Sequence, residues 1–264
     1  MNKQVQTKKS YTPYFIIGGL AIVILGAVLI GTGAFGLGWL IGSTPKGNNA
    51  ANNKNGNTTA AKTPGIPANA PPGASPPNYA GSPTALVTIE EFADFQCGSC
   101  AAAFPIMNEI KSMYGSRIRF VYRNFPLAIP AHDKSYEAAV ATEAAGMQGK
   151  FWEMHAQLFQ NQAKWTADPN YRQIWADYAQ KIGLDVQKFT SDLAGIAAKG
   201  RVDADLARGR ALNVNSTPTV YINGVAVPFN DVKVDSLKVI IDAELAKAAA
   251  PAPANPTTPA TPSK

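Results

Sequence analysis

Cys97 and Cys100 are the only cysteines among 264 residues, and two residues separate them. The stretch Cys97-Gly98-Ser99-Cys100 follows an apolar run containing Leu86, Val87, Ile89 and Phe92, and precedes a helix-like segment opening at Ala101. Thiols at this spacing allow three kinds of chemistry: a disulfide that opens and closes, half of a zinc site, or a fixed staple. A zinc site takes about two further ligands. The chain offers only His132 and His155, and His155 lies among Trp152, Met154 and Phe159, as a helix-face histidine would. A staple across so short a loop removes little chain entropy, roughly 2 kcal/mol against about 3 for about 15 residues. The residues therefore favour a redox pair, with no metal expected.

A redox pair needs elements that hold it. Residues 85–92 read as a buried strand, β-branched and apolar up to a short turn. From Cys97 to about Tyr114 the pattern is helical, with Phe104, Met107, Ile110 and Met113 on one side; Pro105 falls inside it and predicts a kink, and Gly115 ends it. Residues 117–123 alternate Ile118, Phe120 and Tyr122 with arginines, the period of a strand. Strand, helix, strand at this length is a βαβ unit, so the two strands run parallel. From about Asp133 to Leu212 the chain is helical throughout, punctuated by Gly183 and Gly200. Strand character returns at Pro218, Thr219, Val220, Tyr221 and Ile222; Asn223-Gly224 is a strong hairpin signal, with Val225 to Pro228 pairing back. Residues 234–247 form a last amphipathic helix.

This order, and several of its residues, resemble the DsbA-type thiol–disulfide oxidoreductases. The resemblance rests on Phe92-Ala93-Asp94-Phe95-Gln96 leading into the cysteine pair, and on Phe125-Pro126-Leu127. Gly149-Lys150-Phe151-Trp152-Glu153-Met154-His155 with Leu158-Phe159 follows, then Ser216-Thr217-Pro218-Thr219 before the hairpin. It implies an α/β thioredoxin-like fold with an inserted α-helical domain over about 132–212, the whole domain covering 85–247. It also implies that Pro218 is a cis-proline facing the cysteine pair, with the Thr217 backbone free to bond an extended substrate chain. A thiolate is the attacking species, and a free cysteine is only a few per cent ionised at neutral pH. Cys97 at a helix N-terminus gains partial positive charge and unpaired N–H groups that favour the anion. Cys97 is thus the nucleophile and Cys100, one turn deeper, the resolving thiol. Phe92 and Phe95 read as core, and Glu90, Glu91 and Asp94 are candidates to carry a proton for Cys100. Gly98 and Ser99 carry no charge, and Ser99 can donate one hydrogen bond to the Cys97 sulfur; the family's strong oxidants have a histidine in this dipeptide, and thioredoxin a proline.

The rest of the chain bears on place rather than chemistry. The formal charge of +6 comes from six lysines before Glu90; beyond it 18 basic residues balance 18 acidic ones. The excess belongs to the leader, so a nucleic-acid role is not expected. Residues 14–41 carry no charge and are dense in Ile, Leu, Val and Phe. About 20 apolar residues span a bilayer, whereas a cleaved signal core runs to about 7–15. The expected organisation is a cytoplasmic leader at 1–13, a transmembrane helix at 14–41, a disordered linker at 42–84, the domain, and a disordered tail at 248–264. Lys3, Lys8 and Lys9 ahead of the span put the N-terminus inside and the domain outside the cell membrane. The match of Gly31 to Gly36 to a dinucleotide-binding pattern falls within this span and is set aside.

The expected function is a membrane-tethered thiol–disulfide oxidoreductase that oxidises cysteine pairs of exported proteins. It needs no cofactor beyond the Cys97–Cys100 disulfide and is reoxidised by a quinone-linked membrane partner. A reductase or isomerase of the same fold, and a non-redox chaperone-like binding module, are the alternatives.

Overall fold

The computed structural model describes residues 65–249. In chain order the elements are β1 (Asn78–Gly81), β2 (Val87–Ala93), α1 (Gly98–Tyr114), β3 (Ile118–Asn124), α2 (Ser135–Gly146), α3 (Phe151–Gln160), α4 (Gln162–Ala167), α5 (Tyr171–Lys181), α6 (Val186–Ala194), α7 (Ile196–Ala211), β4 (Thr219–Ile222), β5 (Val225–Val227) and α8 (Val234–Ala249). The strands form one sheet in the order β1-β3-β2-β4-β5. β2 and β3 are parallel, as their helical crossover requires, and the other pairs are antiparallel. Both faces of β2 are covered, which is why it reads as a near-continuous apolar run: Val87, Ile89, Phe92 and Ala93 are all buried. The β4–β5 turn forms where Asn223-Gly224 predicts it, with φ of 46° and 80° at its two central residues. The six helices α2–α7 are the insertion between β3 and β4.

One face of β2 meets α1 and α8; the other meets α7. The buried stripe of α1 is Cys100, Ala103, Met107, Ile110 and Tyr114. It departs from the expected stripe, since Met113 is 40% exposed and Phe104 only partly buried. Pro105 lies inside α1 without ending it. α8 closes over α1, where the Tyr114 hydroxyl donates to Asp242 at 2.8 Å.

The expected disorder of residues 42–84 is corrected over 65–84, and the domain begins earlier than residue 85. Asn78–Gly81 is the antiparallel edge strand β1 beside β3. The Pro-rich stretch before it is held by guanidinium groups: Arg208 donates to Pro71 O at 2.8 Å, Arg123 to Pro72 O at 2.9 Å and Ala74 O at 3.1 Å, and Arg201 to Pro76 O at 2.9 Å. Asp205 accepts from Ala74 N at 2.8 Å. Proline lacks an N–H but keeps its carbonyl, so this segment needs little apolar surface to be ordered when donors await it. Gly73 has φ of 76°, and a Cβ there would lie 2.6 Å from an Arg123 nitrogen. The expected leader, membrane helix, tail from 250 and linker up to 64 lie outside the described residues. Among the described residues, no helix is long and apolar enough to cross a membrane.

The clamp is a buried charge network. Arg123 lies 2.6 Å from Glu90 and 2.9 Å from Asp205, and Arg208 lies 2.7 Å from Glu90. Removing Asp205 leaves buried donors on Arg123, Ala74 and Asn124 without their carboxylate, which costs about 3–5 kcal/mol, whereas an exposed pair contributes about 0–1. Asp205→Ala is therefore expected to lower unfolding free energy in urea by about 3–5 kcal/mol. Lys150→Ala, which removes the half-exposed pair with Glu153, is expected to change it by less than about 1 kcal/mol.

Candidate active site

The chain leaves β2 at Ala93 and turns through Asp94, Phe95 and Gln96 into α1, whose N-cap is Cys97. The Asp94 carbonyl accepts from Cys97 N at 3.1 Å, and the Asp94 carboxylate, fully buried, fixes the turn from inside. It accepts from Gln96 N at 2.7 Å, Leu127 N at 2.8 Å and the Ser135 hydroxyl at 2.5 Å, and His132 Nδ1 lies 2.7 Å away. Gln96 takes part as well: its side-chain carbonyl accepts from Lys134 N at 2.6 Å. From the inserted helices, Gln162 donates to Phe95 O at 2.8 Å and Cys97 O at 3.1 Å. The turn carrying the nucleophile is thus bonded to three separate segments of chain.

The two thiols are free and differ sharply in setting. Cys97 is 8% exposed and Cys100 1%. Cys97 is brought down to about 5 from the usual cysteine value, first by the Cys100 thiol beside its sulfur and also by the backbone N–H groups of Cys100 and Ser99, against the opposing effect of burial. No acidic residue occupies the first turn of α1, so nothing cancels the positive end of the helix. Burial, reinforced by Cys97, raises Cys100. Ser99 acts through its backbone and not the expected hydroxyl, and both Gly98 and Ser99 face solvent. One thiol is therefore a stable anion at neutral pH and its neighbour a stable acid.

Thr217 and Pro218 stand opposite. The Thr217–Pro218 peptide is cis, and the Cys97 sulfur lies 3.3 Å from Thr217 O, which it can bond only while it carries a proton. Beside them runs a groove of about 300 Å³ whose walls include Ser99, Ala102, Ile106, Pro218, Phe229 and Val232. Phe229 is 60% exposed at its rim. The six residues expected to make the site, Cys97, Gly98, Ser99, Cys100, Thr217 and Pro218, lie around one pair of sulfurs and this groove.

The three acids near the pair have separate duties. Burial pushes Glu90 up, but Arg208 and Arg123 outweigh it and hold it below the usual carboxylate range. Asp94 is committed to the turn. Glu91, on the α1 face of β2, is raised to about 7 by burial, offset in part by Lys111. Of the three, Glu91 can gain and lose a proton near neutrality. Asp94 as an anchor, Gln96 and Gln162 were not singled out by the sequence for these roles. Asp94 and Gln96 sit in the pattern that leads to the cysteines, whereas Gln162 carries no signal in the sequence.

Comparison with known proteins agrees with this geometry. A family model described as thioredoxin matches residues 75–243, taking in β1 and the end of the clamped segment. A Na(+)/H(+) antiporter NhaA 1 from Mycolicibacterium gilvum is 36% identical over 146 residues, which are 54% of this chain and 23% of that one. The chain thus matches less than a quarter of that relative's length. A thioredoxin-like oxidoreductase from Silicibacter pomeroyi superposes with a TM-score of 0.54 at 26% identity, covering 66% of this chain and 94% of that one. BdbD from Bacillus subtilis in its oxidised form superposes with a TM-score of 0.56 at 24% identity, covering 67% and 98%. The fold is the thioredoxin-like α/β domain with a helical insertion, and the chain belongs to the thioredoxin family.

Proposed function

We propose that the protein is a thiol–disulfide oxidoreductase that works as an oxidant, inserting disulfides into exported proteins. The observation that carries this is the Cys97 sulfur, held near 5 at the head of α1 while Cys100 is buried and protonated. Stabilising the thiolate stabilises the reduced pair, which makes the disulfide form the stronger oxidant; each pKa unit is worth about 1.4 kcal/mol, or roughly 30 mV. A substrate thiolate attacks Cys97 in the disulfide, forming a mixed disulfide as the Cys97–Cys100 bond breaks. The leaving Cys100 sulfur takes a proton. A second substrate thiolate then attacks the substrate sulfur, releasing an oxidised substrate and a Cys97 thiolate. Two electrons have passed to the cysteine pair. The groove beside Pro218 is suited to an apolar side chain of an extended substrate, with Phe229 at its rim.

To act again the pair must lose those electrons, and a quinone-linked membrane protein is the partner class this reading requires. Tethering by residues 14–41, with the domain outside the cell membrane, rests on the uncharged apolar run and the lysines before it.

Direct measurements test the chemistry. Equilibration with glutathione is expected to place the potential toward about −120 mV; a value near about −270 mV would mark a reductant and overturn the reading. Cys100→Ser is expected to accumulate mixed disulfides with cysteine-containing substrates, while Phe229→Ala lowers kcat/KM for peptides and leaves the Cys97 titration in place.

The same thiolate has a stability consequence. Because the folded value lies below the unfolded one, its contribution is fully present only above the unfolded value and is lost as pH falls through about 5. Relative to the oxidised form, the reduced protein is expected to lose thermal stability between pH 7 and pH 4; parallel Tm profiles would contradict the assigned thiolate.

A further inference from the structure

Asp94 touches both cysteines through its main chain. Its carbonyl accepts from Cys97 N at 3.1 Å, and its backbone N–H bonds the Cys100 sulfur. Its carboxylate is completely buried, and an ionised carboxyl has about four lone-pair positions to fill. Each is taken. Oδ1 accepts from Gln96 N and the Ser135 hydroxyl; Oδ2 accepts from Leu127 N at 2.8 Å and faces His132 Nδ1 at 2.7 Å. The exchange steps above make no use of this arrangement, and its fourth partner differs in kind from the other three.

A neutral imidazole donates from Nδ1 in only one of its tautomers. The other partners all donate, so the carboxylate is held as an acceptor and the shared proton sits on Nδ1. The loop is folded to bring this about. Leu127 O accepts from Ile129 N at 3.0 Å and Ile129 O from His132 N at 2.9 Å, so the chain doubles back and delivers a backbone donor and a ring donor to one oxygen. The neighbouring cation is engaged elsewhere: the Lys134 ammonium lies 3.0 Å from Asp133. Among the described residues, His132 is the one cationic side chain paired with Asp94. Its ring also borders a cavity of about 430 Å³ walled by Leu127, Ile129, Leu206 and Arg210.

Resting on the oxidoreductase reading, we propose that His132 is a positioning residue for the Cys97 thiolate: its Nδ1–H is the fourth donor to Asp94 and so holds the turn whose N–H groups meet the sulfur. A buried carboxylate deprived of one donor is left with a bare lone pair, which is costly, and it gains by turning toward water or another N–H. Either movement carries residue 94 with it and disturbs the bond to Cys97 N. The N–H groups of Ser99 and Cys100 then point past the sulfur, and the anion they favour is weakened.

The test is thiolate absorbance of the reduced protein followed against pH. His132→Leu keeps the bulk and removes the donor; it is expected to raise the Cys97 midpoint by about one pH unit. Equilibration with glutathione is then expected to move about tenfold toward the reducing side, which is about 30 mV. His132→Asn places an amide N–H where Nδ1 lies and is expected to restore the wild-type midpoint. His132→Gln carries its amide to the position of Nε2, with the cavity to receive it, and is expected to stay with Leu. An unchanged midpoint in Leu, an Asn variant shifted as far as Leu, or a Gln variant restored as fully as Asn overturns the proposal. If His132→Leu fails to fold, the contrast between Asn and Gln decides alone. Asp205→Ala, which loosens the fold at the Pro-rich segment, is expected to leave the midpoint in place; a shift equal to that of Leu would mark general loosening and also overturn it. The chain has two histidines, so the His132 ring nitrogens are assigned by their loss in the variants. Nitrogen-15 spectra are expected to show the neutral ring protonated at Nδ1, and a proton at Nε2 instead would contradict the bond. Neither readout needs a substrate, so both stand apart from whether the cysteine pair proves to be an oxidant.

Discussion

The structure depends on keeping two identical functional groups, three residues apart, in opposite protonation states. The Cys97 sulfur is held as an anion and the Cys100 sulfur as an acid: the Cys100 thiol eases the ionisation of Cys97, and Cys97 in turn adds to the cost, set mainly by burial, of ionising Cys100. Exposure alone does not separate them, since both are largely buried. The separation comes from direction. At the head of α1, N–H groups point out of the helix and meet the first sulfur, while the second sits a turn deeper, where the helix has no free donors to give. An anion stabilised this way needs no positive side chain. That is why a dipeptide as neutral as Gly98-Ser99 is compatible with a low thiolate pKa.

Dipoles act only where they are aimed, and much of the fold serves that aim. A sulfur that swings away from the helix axis loses the N–H groups that make it an anion. Asp94 prevents this from within the turn by accepting from residues on both sides of β3's exit, and Gln162 holds the turn from the inserted helices. The helical insertion thus does more than roof the sheet; it supplies donors to the carbonyls of the active-site turn. On the opposite face of β2, Arg123 and Arg208 tie Glu90 and the Pro-rich segment together. Adjacent glutamates on one strand consequently face unlike worlds: Glu90 is fixed as a charge, and Glu91 is left able to titrate.

What could be read from the sequence was what local order carries. The apolar run of β2, the alternation in β3 and the helical block follow from periods of two or about 3.6 residues, and Asn223-Gly224 from the backbone a tight turn needs; the inserted-helix fold and the place of Thr217 and Pro218 opposite the sulfurs were what the family resemblance implied. What stayed hidden depends on side-chain bonds between distant positions. Residues 65–84 have the composition of a disordered linker, and partners far along the chain order them: the side chains of Arg123, Arg201, Arg208 and Asp205, and the backbone of β3. The choice among Glu90, Glu91 and Asp94 was hidden for the same reason. In a strand covered on both faces, alternation says which residues share a face and not which face holds the arginines.

The same distinction explains how a neutral active-site dipeptide and an acid near neutrality belong together. Where a charged residue stands beside the nucleophile, its charge is felt whatever the protonation of the surroundings. Here the largest influence lowering Cys97 is the thiol of Cys100 itself, and that support disappears when Cys100 ionises. The anion and the proton are therefore linked: Cys100 must keep its proton to stabilise the resting thiolate and must release it to close the disulfide. A carboxyl group that titrates near 7, buried on the α1 face of β2 with the charge of Lys111 favouring its ionised form, allows both within the range in which the exchange runs. An acid ionised as firmly as Glu90 could not return the proton, and one without Lys111 would not give it up. The position of Glu91 between those limits makes the low Cys97 pKa compatible with turnover.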